Sequence, residues 1–242
     1  MSKTTQTPTN FDMGSFMTNV EKLLQEYRNE VNIAVSSFYT WKTINGLAKS
    51  DDKVLCALNT NGLSWNIIAH SLQITFLTVL GRIFDNNPRS LTVNSFICKC
   101  RDAIRQFSKA SLEARRLNGS HGVRPDYLDD YLKDACEPSS ADFDALDRAA
   151  QKYKTIYQKN YHPIRNKLIA HKDYATMGSR DSLYAKTNIG EIEELLLFLH
   201  QIEKVVDQWY LNGRMTNLSD YKLSIDQRIR DDVGTLMGKL SS

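Results

Sequence analysis

The residue types best suited to chemistry stand in one run, Tyr161-His162-Pro163-Ile164-Arg165-Asn166-Lys167-Leu168-Ile169-Ala170-His171-Lys172-Asp173. A guanidinium, a carboxamide and an imidazole fall within the seven residues from Arg165 to His171. Arginine grips a phosphate through a planar two-pronged fork, and histidine alone changes charge near neutral pH. With Lys167, Lys172 and His162 beside them, they suit phosphodiester chemistry. On an ideal helix Arg165 and His171 stand about 120° apart. Their convergence therefore requires a bent helix end or a second subunit. The plain alternative is a helix C-terminus, where cations favour the dipole and cap carbonyls.

Other polar residues read as structure first. His70 lies on the most apolar segment and His200 within Leu-Phe-Leu-His, so both are expected as hydrogen-bonded core histidines. His162, three residues before Arg165, is either a supporting group or a surface residue. Cys98, Cys100, His121 and Cys136 lack zinc-finger spacing, so no metal or other cofactor is expected. The cations Lys99, Arg101, Arg105, Lys109, Arg115 and Arg116 form one basic face, either a track for RNA phosphates or a solvated surface. Asp85 either orients a cation across the fold or caps its own helix.

These residues must be positioned by helices. The chain has 242 residues, 41% hydrophobic and 24% charged, with a net charge of +3, which excludes a uniformly basic nucleic-acid coat. Its four cysteines read as reduced thiols, and Met1 to Asn10 lack the pattern of a signal peptide, so a cytoplasmic protein is expected. Periodicity is helical almost throughout, which predicts an all-α bundle. One amphipathic helix starts near Phe16 and runs through Val31, and a second stretch from Val35 to Leu47 either continues it or follows it. Leu63 to Leu80 has no formal charge, yet Ser64, Asn66, His70, Ser71, Gln73, Thr75 and Thr78 argue against a lipid-facing span. It is expected as a central helix buried on most sides, ending at Asp85-Asn86-Asn87-Pro88. Ser90 to Leu117 reads as one helix or two. Ser139 and Ser140 offer N-caps to a helix whose end meets Pro163, which kinks it or opens a new turn. Asn188 with Glu191 makes a capping-box-like start for the stripe Ile192, Leu195, Leu196, Leu199, Ile202, Val205, Val206 and Trp209. A last amphipathic segment spans Ile225 to Leu240.

The arrangement Arg-Asn-x4-His, here Arg165, Asn166 and His171 in RNKLIAHKD, resembles the signature of the all-helical HEPN superfamily. The order of an apolar helix ending Gly81-Arg82-Ile83-Phe84-Asp85 and this motif much later looks like the abortive-infection U-type (AbiU-like) branch. The resemblance implies a flexible N-terminus over 1–12, a HEPN-like domain over 13–212 and a helical extension over 213–242. It further implies a metal-independent endoribonuclease that acts as a homodimer on RNA, a toxin or antiphage effector with an antitoxin or nucleotidyltransferase partner. Carried over, Arg165 would neutralise the scissile phosphate, His171 would move the proton, and Asn166 would position one of them. One departure stands out: relatives with a modified tyrosine have His-x-Tyr, whereas Tyr174 follows His171 by three residues. The alternatives are a catalytically silent HEPN module that binds a nucleotide or partner, and a plain helical scaffold.

Overall fold

The computed structural model describes residues 18–87, 89–120, 122–166 and 187–240. Among these residues every regular element is helical, as the periodicity predicts. The elements are α1 (Asn19–Ser50), α2 (Asp52–Thr60), α3 (Gly62–Ile83), α4 (Val93–Asp102), α5 (Lys109–Gly119), α6 (Leu128–Asp134), α7 (Ser140–Asn160), the single turn α8 (His162–Ile164), α9 (Ile189–Asn212) and α10 (Ile225–Leu240).

Local signals set most boundaries. Thr18 closes a capping box with Glu21, whose carboxylate accepts from the Thr18 N–H at 2.8 Å. The two predicted stretches behind it are one helix, about 48 Å long. Phe16 lies outside the described residues. The Ser90 to Leu117 segment is two helices, because Ser108 is extended and its hydroxyl accepts from Ser111 N–H as a new N-cap. Ser139 starts α7, its N–H and hydroxyl both donating to Asp142 at 2.7 Å. Gly213 ends α9 at φ +59°, where an added Cβ would also strike Leu112 at 2.9 Å.

The main core gathers α1, the second half of α3, α4, α7 and α9. Tyr27 stacks on Phe96 at 4.1 Å and Tyr153 on Phe198 at 4.0 Å. All eight residues of the predicted α9 stripe are buried. At its polar edge Arg28 of α1 pairs with Glu203 at 2.6 Å and with Asp207 at 2.5 Å. A smaller cluster of Ile44, Val54, Leu58, Val233 and Met237 seats α10 against α1 and α2.

The structure corrects the reading of α3. Only its second half, from Phe76 to Ile83, is buried among core residues, whereas Leu63 is 87% exposed and Ile67 65%. Trp65 and Leu72 touch the small cluster, and the remaining faces of the first half have no neighbour among the described residues that buries them. α3 is long and apolar enough to cross a membrane by length and composition.

Candidate functional site

The site is built where α7 ends. Tyr161 closes the last regular turn of α7, its N–H donating to Tyr157 O at 2.9 Å, and Pro163 then opens the short α8 rather than kinking α7. Tyr161 anchors this corner: its hydroxyl donates to Asn188 O at 2.9 Å and lies 3.0 Å from Glu191 Oε2. Glu191 also accepts from Asn160 Nδ2 at 3.0 Å. The predicted capping box at Asn188 is therefore not closed. Glu191 is drawn to the end of α7, and Asn188 Oδ1 alone caps α9 by accepting from Gly190 N–H at 2.8 Å.

Arg165 continues the ladder, its N–H donating to Tyr161 O at 3.0 Å. Its side chain is half-buried, and among the described residues no carboxylate lies within ion-pair distance of it. Arg165 Nη1 donates to Asn166 Oδ1 at 2.8 Å. Asn166 Nδ2 in turn faces His162 Nε2 at 2.9 Å. An amide nitrogen can only donate, so that pairing puts the neutral imidazole proton on Nδ1. Asn166 thus bridges His162 and Arg165, and His162 sits beside Asn166 rather than beside the guanidinium. His171, with Lys167, Lys172 and Tyr174, lies outside the described residues.

Two residues missed by spacing arguments complete the setting. Gly81, near the end of α3, leaves a gap in which a Cβ would meet Tyr157 Oη at 3.1 Å and Arg165 Cγ and Nε at 3.2 Å each. Tyr157 is 1% exposed, and burial, opposed by the Arg165 charge, pushes its phenol well above the usual range. The signal for Gly81 was a glycine inside an otherwise strongly apolar helix, a costly choice without a close approach to justify it.

The other candidates fall elsewhere. His70 is exposed on the first half of α3 and so is not a core histidine. His200 is half-buried, and burial pulls its imidazole below the ordinary value, with Lys204 adding to the effect. Cys100 is buried in the core while Cys98 is exposed, and His121 lies outside the described residues. Asp85 accepts from Asn86 N–H at 2.7 Å just past α3, and its charge is felt at Tyr157. The basic face is largely spent within the protein. Arg101 pairs with Asp144 at 2.7 Å, and Lys109 donates to Lys133 O at 3.1 Å. Arg115 donates to Tyr210 O at 2.6 Å and Arg116 to Leu211 O at 2.9 Å, tying α5 to the end of α9.

Comparison with known proteins gives one finding. The family model HEPN_AbiU2, described as AbiU2, matches residues 17–226, from the start of α1 to the start of α10 and across the whole site. Neither the curated proteins nor the solved structures returned a match.

Proposed function

Because the chain belongs to the AbiU2 branch of the HEPN family, we propose that it is an endoribonuclease needing no metal, acting as an abortive-infection or toxin-type effector. The observation that carries this reading is a half-buried Arg165 guanidinium with no described carboxylate to neutralise it and one prong held by Asn166. A fork so held is available to a phosphodiester, where its charge counts most as negative charge grows in the transition state. Arg165 grips the scissile phosphate and Asn166 orients it. His171 takes the proton of the ribose 2′-hydroxyl or delivers one to the leaving oxygen, a role that fits an imidazole near neutral pH.

Cleavage of a broad RNA panel in excess chelator tests this. Wild type should cut, and Arg165→Ala should not. Arg165→Lys should fail to restore cutting, since an ammonium does not reproduce the fork. A well-folded wild type that cuts nothing would favour the silent binding module.

The same reading takes the protein as a homodimer. The exposed start of α3 offers a second copy an apolar seat, and residues 54–81 contain no Asp, Glu, Lys or Arg. A two-fold pairing there sets no like charges against each other. About 21 Å of helix separates Ile67 from Gly81, so Ile67→Glu perturbs association without touching Arg165. Light scattering should show a dimer for wild type and a monomer for Ile67→Glu. A monomeric wild type would refute the pairing, and if that monomer floats with lipid vesicles, the face belongs to a membrane surface instead.

A further inference from the structure

The least explained polar atom near the site is the hydroxyl of Tyr157. It is fully buried and has no hydrogen-bond partner among the described residues. Leaving such a group unpaired is costly, and phenylalanine would fill the same space without that cost. The ring cannot easily turn to relieve it. Its ring centroid lies 5.3 Å from that of Phe84 and 6.3 Å from that of Tyr161, nearly parallel to both. That packing aims the hydroxyl at the gap left by Gly81, the same gap that receives Arg165 Cγ and Nε.

The chemistry of the two groups restricts what they can do together. A guanidinium offers five N–H donors and no acceptor, whereas a phenol offers lone pairs as well as its own proton. The only hydrogen bond open between them runs from Arg165 to Tyr157. Asn166 already holds the far end of the guanidinium through Nη1, and the Nε end faces the Gly81 gap.

We propose that Tyr157 is a positioning residue for Arg165: the two groups line the same gap without a hydrogen bond in this structure, and a small turn of the Arg165 side chain lets the Tyr157 hydroxyl accept from Nε–H across it, so that Tyr157 and Asn166 fix the two ends of the fork. The N–H groups left over, chiefly those of Nη2, then point one way and meet an RNA phosphate as a preset pair. This deepens the nuclease reading and rests on it for the ligand, but the Tyr157 to Arg165 bond itself stands or falls without any activity.

The experiment uses the full chain and the Tyr157→Phe variant. The first readout is the arginine side-chain Nε–H spectrum by nitrogen-15 NMR, with the Arg165 signal assigned by its loss in Arg165→Lys. Tyr157→Phe should move that signal and speed its exchange with water, while the melting temperature stays level or rises. The second readout is RNA cleavage, where Tyr157→Phe should lower kcat/KM by about tenfold or more. In the Arg165→Lys background, read by RNA binding because that variant does not cut, the same substitution should add nothing, since the lysine has no Nε–H to be held. A merely structural tyrosine would give losses that add. An unchanged Arg165 Nε–H signal in folded Tyr157→Phe overturns the proposal, whether or not the protein cuts RNA. A wild type that does not cut, with a Tyr157-dependent Nε–H signal, overturns only the nuclease reading.

Discussion

Replacing Gly81 by alanine adds a single methyl in the gap that Tyr157 and Arg165 both line. The new Cβ would lie 3.1 Å from Tyr157 Oη and 3.2 Å from Arg165 Cγ and Nε, a few tenths of an ångström too close. The tyrosine is clamped in the core by Phe84, so Arg165, on a longer and half-buried side chain, is the group that gives way. Overpacking of this kind costs roughly 1–3 kcal/mol, and the lower end applies because a flexible side chain can yield. Exchanging glycine for alanine inside a helix returns about 0.5–1 kcal/mol. The net loss is about 1 kcal/mol or less, which for a chain of this size is at most about 2–4 °C in melting temperature. Activity is far more sensitive, since misplacing a catalytic group by about 1 Å costs on the order of 10²-fold and a shift of a few tenths about tenfold. Thermal melting and single-turnover RNA cleavage on the same preparation measure both effects. Folded Gly81→Ala cutting at the wild-type rate would refute the claim that this gap seats the working arginine.

His171→Ala should change stability by no more than about 0.5 kcal/mol, the scale of surface substitutions, while slowing cleavage by roughly 10² to 10⁴-fold; early melting with normal cutting by the folded fraction would make it a helix cap instead. Arg28→Ala leaves the Glu203 carboxylate, 2% exposed, facing Lys204 alone at 3.3 Å, and should cost about 2–3 kcal/mol by denaturant titration, the low end for buried pairs because Arg28 is itself a third exposed. Burial depresses the His200 imidazole, so the folded chain prefers it neutral and its contribution is present above the ordinary histidine value of about 6.5 and lost as pH falls below it. His200→Gln should flatten that part of a melting-temperature profile between about pH 5 and 7, and an unchanged slope would assign the pH dependence elsewhere.

What could be read along the chain, and what could not, divides by the range of the interaction. The α9 stripe and the cap at Ser139 depend on neighbours three or four residues apart, and the structure reproduces them. The box at Asn188 obeyed the same local rule and failed, because Tyr161 and Asn160, about thirty residues earlier, bind Glu191 first. α3 misled for a related reason: its apolarity states how much surface is worth burying, not how far a partner helix extends, and here the burying helices cover only the half from Phe76 onward. At the candidate site, the pairing of Arg165 with Asn166 follows from their adjacency along the chain. Tyr157 and Gly81 are not legible in this way, since a tyrosine in a helical stripe reads as core and a lone glycine as a weakness. Only when α7 is laid across the end of α3 do the two readings invert. The glycine then becomes a gap lined by both an arginine side chain and a buried hydroxyl, and the bond proposed between them would give the tyrosine a reason to be no phenylalanine.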